Sequence, residues 1–298
     1  MTLRFRYRHA QRHHRDGYVL LTTVLIIAMV SILTVGLVRQ SMNMAMAARE
    51  SQRNLQEKWG AASCHRFTLA KQNELLNLRV WNADLQAWTS EPISQSESSF
   101  VLGGMHFNVQ MADESAKLNL NQIYRELGRQ QTAQLARRFV GHGNLKVDLK
   151  PMDDRHRRGA AEDKFESWGQ VFAVRDGQKS IVELKDATTK MTCWGNQLNY
   201  IVADESVITE TCKPIIGAAL TQKLVKALKS ENTSDWESEL LASGGKNEQI
   251  KSLKQVISTQ SDTHSVWVHT ESGKRSQTWL VVHEKLTQSV HRVHSFIW

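Results

Sequence analysis

Residues 18–38, YVLLTTVLIIAMVSILTVGLV, run for twenty-one positions without a charge or a proline. As a helix they reach roughly 31 Å, about the thickness of a bilayer's hydrocarbon core. Such a segment has no polar face to give to water, so it must be buried in lipid or against other helices. The seventeen residues before it hold five arginines (Arg4, Arg6, Arg8, Arg12, Arg15) and one acid, Asp16, for a formal charge of +4. A basic flank of this kind stays in the cytoplasm and sends residues 39–298 to the opposite compartment. The apolar run exceeds the ~7–15-residue core of a secretory signal, and no small-residue cleavage site closes it. A cut in front of the segment fits better than one behind it.

The 298-residue chain is 41% apolar, and the part beyond the span is long enough for one large or two small folded domains. Half of the net charge of +8 lies in the leader, and no polybasic block follows it, which removes most support for a nucleic-acid partner. Cys64, Cys193 and Cys212 make no metal spacing. In an exported domain Cys193–Cys212 is the natural disulfide, because the two flank one compact segment; the alternative is three free thiols.

After Val38, good helix formers dominate a stretch with no proline and one glycine, Gly60. Leu55, Trp59, Ala62, Phe67 and Ala70 keep a 3.6-residue stripe, which predicts one helix over about residues 18–78 with that stripe in the core. Extended pieces at Val80–Trp81 and Ala87–Thr89 follow. A hairpin is then expected from Ser99–Leu102, Gly103-Gly104 and Met105–Met111, with Met105, Phe107, Val109 and Met111 facing inward. Two short helices, Gln122–Leu127 and Gln131–Val140, are separated at Gly128, and 141–163 reads as a loop. Phe165, Trp168, Val171 and Phe172 have helical spacing. Beyond Thr188 the reading is extended through Met191–Trp194 and Leu198–Val202, around a Gly195-Asn196 turn. Two amphipathic helices carrying Leu220/Leu224/Leu228 and Ile250/Leu253/Ile257 flank a loop at 229–248. Strands His264–Thr270, Thr278–Glu284 and Ser289–Trp298 end the chain.

The fold class is therefore α+β. A long N-terminal transmembrane and amphipathic helix packs on an antiparallel sheet, with a small helical subdomain inserted between strands. The expected divisions are a basic leader 1–17, the span 18–38, the helix continuation and first hairpin 39–118, the insert 119–190, and the second half of the domain 191–298.

Residues that could carry chemistry are sparse. The motifs of serine hydrolases, phosphate loops, dinucleotide folds and zinc proteases are all missing, so no enzymatic activity is expected. His264, His269, His283, His291 and His294 read as solvated strand residues; His291 and His294, at odd spacing, point to opposite faces. Asp153, Asp154, Glu162 and Asp163 lack the alternation of a calcium loop and are interleaved with Arg155, Arg157, Arg158 and Lys164, so they read as a solvated charge cluster. Arg155–Arg158 reads as an exposed loop. Asp113 and Glu114 are adjacent carboxylates that point opposite ways in an extended segment.

A basic leader ending in Gly17, followed by an apolar helix from Tyr18 that continues as a polar helix, resembles the plan of type IV pilins and pseudopilins. The resemblance implies that a prepilin peptidase cuts after Gly17 and that Tyr18 becomes the methylated first residue. The fifth mature residue is then Thr22, where most pilins have glutamate; the K-type minor pseudopilins of type II secretion are similar in lacking it. Asp113-Glu114-Ser115-Ala116-Lys117-Leu118-Asn119-Leu120-Asn121 resembles that branch's D-E-x-x-K-L-N-L-N stretch. Residues 194–203, WGNQLNYIVA, resemble its second signature through Gly195 and Asn199, with Tyr200-Ile201 departing from it. The acidic D-W-x-D element is not recognisable. No cofactor is therefore expected; calcium enters only through the resemblance, without identifiable ligands. What is implied is a structural subunit in the inner membrane with a periplasmic domain. It would sit at or near the tip of a pseudopilus and help start its assembly and protein export. Its partners would be other minor pseudopilins, the prepilin peptidase and membrane lipid, with no nucleic acid. The competing readings are a single-pass anchored periplasmic binding domain left uncut at Gly17, and a DNA-uptake pseudopilin.

Overall fold

The computed structural model describes residues 7–82, 86–140, 145–151, 165–173, 177–229, 235–272, 275–285 and 289–297. It divides into two units, 1–58 and 59–298. Helix α1, Tyr7–Ala70, contributes to both.

In the first unit the apolar segment is long and apolar enough to fit a membrane anchor. Thr22, Thr23, Ser31 and Thr34 turn their hydroxyls back onto carbonyls three or four residues earlier, at 2.7–3.1 Å. With those groups satisfied internally, the surface offered by Tyr18–Val38 is apolar all round, its large side chains 54–72% exposed. Past Arg39 the helix stays uncharged to Ala48, and Met42, Met44 and Met46 are exposed.

The second unit is built on a five-stranded antiparallel sheet, ordered β13-β12-β11-β4-β3. Its strands are β3 Gln95–Leu102, β4 Met105–Asp113, β11 Thr263–Ser272, β12 Arg275–Glu284 and β13 Ser289–Ile297. Phe107, Val109 and Met111 alternate inward on β4, as their spacing predicts, and meet Val266 and Val268 from β11. The last turns of α1 cover this face, but not with the predicted stripe. Trp59 and Phe67 are 63% and 50% exposed, and Leu55, in the first unit, is 57% exposed. Gly60, Ala61, Cys64, His65 and Thr68 face inward instead. The reason is steric: the sheet already supplies the bulk, and a Cβ on Gly60 would stand 2.2 Å from the Phe107 ring. Small residues on the helix let the two backbones close up, whereas aromatic ones would hold them apart. Replacing Gly60 with valine should lower stability by about 1–3 kcal/mol, measured by urea unfolding of the detergent-solubilised chain. An unchanged midpoint would mean that α1 does not pack there.

Helix α1 ends at Ala70, earlier than predicted, and a short helix, α2 Gln72–Leu75, leads into the ribbon β1 Asn77–Asn82 and β2 Ala87–Pro92. The main departure lies between β4 and β11. The chain leaves the sheet at Asp113 and returns at Thr263, and the described residues between form one block. This comprises β5 Leu118–Asn119, α3 Leu120–Val140, β6 Lys146–Val147, β7 Phe172–Ala173, α4 Gly177–Lys190, β8 Met191–Thr192, β9 Leu198–Asn199, α5 Glu205–Ile216, α6 Ala218–Leu228, α7 Trp236–Ala242, α8 Asn247–Val256 and β10 Ile257–Ser258. Its core is continuous from Leu118 to Ile257 and reaches Leu280 and Val282 on β12. The insert thus extends well past residue 190, because parallel pairs β5–β8 and β9–β10 tie its two ends into one core.

Gly128 interrupts α3 as expected, at φ +72°. Phe165, Trp168, Val171 and Phe172 are all buried, yet they form a 3₁₀ turn, Trp168–Gln170, and strand β7 instead of a helix. The Gln170 side chain accepts from the backbone N–H groups of Glu166 and Ser167 and closes that turn. Helix α4 runs to Lys190, where an extended chain was expected; α5 carries an internal Pro214, and α7 falls inside the expected loop at 229–248.

Candidate functional site

The residues singled out in 113–121 and 194–203 come together where the chain leaves and re-enters the sheet. Asp113 ends β4 and caps the 3₁₀ turn Glu114–Ala116, its Oδ1 accepting from Ser115 N–H at 2.9 Å. Its Oδ2 accepts from the Ser261 hydroxyl, which in turn accepts from Asn199 Nδ2 at 2.7 Å. Ser115 donates to Asp262 Oδ1 at 2.8 Å. One step further, Glu114 Oε1 accepts from Lys117 Nζ and from the Ser265 hydroxyl, each at 2.5 Å. Glu114 and Lys117 side chains are 2% and 4% exposed, a fully buried ion pair.

The two asparagines of Leu118–Asn121 do different work. Asn119 caps α3, its Oδ1 accepting from Asn121 and Gln122 N–H, while its Nδ2 donates to Gly195 O at 2.6 Å. Asn121 donates to Phe165 O and Cys193 O at 2.9 and 2.7 Å and accepts from Phe165 N–H at 2.6 Å. Gly195 sits at φ +81°, and a Cβ there would lie 3.2 Å from Thr263 Oγ1. Only glycine accepts both the conformation and the approach. The loop after Asn199 is held by Lys229, whose ammonium donates to the carbonyls of Tyr200, Ile201 and Ala203 at 2.9–3.3 Å.

Burial sets the electrostatics here. It pushes the Asp113 carboxyl up to about 6, against the hydrogen bonds from Ser261 and Ser115. Burial takes His264 down to about 4, helped by His283 and Lys285, and takes His65 down to about 4. His264 is thus a buried neutral ring, not the solvated strand residue expected. In the unfolded chain the histidines titrate near 6.5 and Asp113 near 3.8. Between pH 6.5 and 4 the unfolded state therefore binds more protons at both histidines, so stability falls as pH falls. Asp113 acts oppositely, taking its proton first in the folded state. Two histidines outweigh one carboxyl, and a net loss of about 3 kcal/mol is expected from pH 7 to pH 4.5. Urea midpoints against pH should show this, with Asp113→Asn steepening the loss; a midpoint that rises on acidification would overturn the assignment.

Cys193 and Cys212 are separate buried thiols, as is Cys64, so the disulfide considered from the sequence is not formed. Each packs as a small hydrophobe inside the core. Burial pushes Cys212 up to about 12, and burial, with a smaller push from Glu114, raises Cys193 well above its usual value, which leaves neither as a nucleophile. Among the described residues no group of three or more His, Cys, Asp or Glu is placed to hold a metal. Residues 152–164, with the acidic cluster and Arg155–Arg158, lie outside the described residues, as do the side chains of His291 and His294. At the other end Gly17 and Tyr18 lie within α1, and the Thr22 hydroxyl bonds to Tyr18 O and Val19 O of its own helix.

The junction is thus a polar clamp between sheet and insert, most of whose members bond one another, while Glu114 Oε2 is buried without a partner. Sequence motifs found Asp113, Glu114, Lys117, Asn119, Asn121, Gly195 and Asn199. They missed Ser261, Asp262, Ser265 and Lys229; the polar run Ser261-Asp262-Thr263 just before an apolar strand was the available signal.

No family model matches the chain, and no curated protein does. Among solved structures it is similar to a chain of the GspK-GspI-GspJ complex from the enterotoxigenic Escherichia coli type 2 secretion system. That alignment has 15% identity and a TM-score of 0.44, and covers 84% of this chain and 99% of that one. A likeness that distant carries no functional inference.

Proposed function

We propose that the protein is a membrane-anchored structural subunit of the type IV pilin-like class. Within that class we assign it to the K-type minor pseudopilins of type II secretion, at or near the tip of a periplasmic pseudopilus. The observation that carries this reading is the continuity of α1: one helix is lipid-competent over Tyr18–Val38, uncharged again from Gln40 to Ala48 with Met42, Met44 and Met46 exposed, and seated in the sheet's core from Gly60 to Thr68. Exposed methionines beyond the span offer neighbouring helices an apolar contact. The resemblance of residues 113–121 and 194–203 to the two signatures supports the branch, and those residues make one clamp. Thr22 supports a tip position. Its hydroxyl is spent on its own helix, and it offers no carboxylate to a neighbour's terminal amine.

The test is the N-terminus. Intact mass of the membrane-purified protein should show a chain beginning at N-methylated Tyr18, and Gly17→Ala should leave the uncut precursor. An unprocessed natural chain would remove the pseudopilin reading and leave a plain anchored domain.

A further inference from the structure

We propose that the exposed face of α3 beyond Gly128 is a docking groove for an extended acidic segment of another protein chain. Arg129, Gln130, Ala133, Gln134 and Arg137 line an open cleft of about 320 Å³ on this face. Ala133 among them is half-buried and carries only a methyl group. Arg129 is anchored by donating Nη2 to Leu149 O at 2.8 Å, and, behind the larger effect of the Lys150 hydrogen bond, its charge helps to hold the Asp148 carboxyl below its usual value. Among the described residues no partner is present for Arg137, Gln130 or Gln134, although all three are exposed. Neighbouring Arg138, by contrast, is engaged by Glu210 at 3.2 Å.

The spacing selects the occupant. Arg129 and Arg137 stand eight residues apart on helix, about 12 Å. Carboxylates four residues apart on one side of an extended chain are separated by about 13 Å. Between the arginines, two carboxamides each offer a donor and an acceptor, which an extended backbone can use and a helical backbone, already saturated, cannot. Gly128 breaks the helix at φ +72°, so Arg129 begins a new helical segment. A guanidinium at that positive end is repelled by the helix dipole, and a bound carboxylate relieves the repulsion. Guanidinium forks hold carboxylates in two-point contacts.

The experiment uses the full chain in detergent micelles and a labelled peptide with glutamates four residues apart in a Ser/Thr/Val background. Fluorescence anisotropy should show saturable binding. Arg137→Glu should weaken it roughly ten- to a hundredfold, and Lys223→Glu, the same charge change on α6, by no more than about twofold. Equal weakening by Lys223→Glu would reduce the effect to general charge and overturn the groove. Equal binding of a glutamine version of the peptide, or no binding, would overturn it too. So would preference for polyphosphate or for anionic-lipid vesicles over the peptide.

Discussion

Glu114→Ala should lower the stability of the folded domain by about 3–5 kcal/mol, because it leaves the Lys117 ammonium charged, buried and alone. Both side chains are almost wholly out of water, and the pair sits at the point where β4 gives way to the insert. The same carboxylate accepts from Ser265 on β11, so its loss also frees a buried hydroxyl. Removing both charges is a different experiment. Glu114→Leu with Lys117→Met leaves no unpaired ion and should recover most of the loss, since an apolar pair of similar volume often matches a buried ion pair. Urea unfolding of the four members of this double-mutant cycle measures the coupling. A loss below about 1 kcal/mol for Glu114→Ala would show that Lys117 reaches water and that the pair is not buried.

Asn121→Ala is the second large effect, about 2–4 kcal/mol. One side chain serves Phe165 twice and Cys193 once, so alanine leaves two carbonyls and one N–H without partners. Asn121→Asp should recover only part, because a carboxylate accepts from Phe165 N–H but donates nothing. Trp168 and Trp194 lie edge to face at 5.5 Å beside this segment, so their fluorescence reports its loosening. Asn119→Ala, which loses mainly a helix cap, should cost less, about 1 kcal/mol from the cap. The reverse order would mean that the insert is held by α3's start, with the contact to Phe165 and Cys193 secondary.

These effects are structural, because most of the clamp's polar groups are engaged with one another. A reactive group needs an unmet valence and access to a partner; here Asp113 is capped by two donors and the cysteines are sealed in the core. Among the described residues, Gln130, Gln134 and Arg137 on the outward face of α3 are exposed donors without a partner.

Periodicity was enough for the span, the inward face of β4, the final three strands and the break at Gly128. In each case a local rule, length in lipid, alternation or glycine's left-handed conformation, decides the outcome without distant partners. It failed for α1's stripe. Trp59 and Phe67 are apolar at helical spacing, yet the buried face goes to Gly60, Ala61 and Cys64, because Phe107 fills the space that a large helix residue would need. It failed likewise at Phe165–Phe172, where burial was readable and conformation was not. Phe165 is fixed by Asn121, forty-four residues away, and Gln170 closes the turn.

By itself, then, the sequence determined that one end is a helix apolar enough to fit a membrane anchor, that an antiparallel sheet follows, and which residues stand in the stretches 113–121 and 194–203. Only the tertiary structure decided that those stretches are one clamp. Asp113 meets Asn199 through Ser261, a residue 148 positions away from Asp113. Hydrogen bonds made across that separation leave no periodic trace in the chain. They arise once hydrophobic burial has folded the insert back on the sheet and the buried polar groups must find partners.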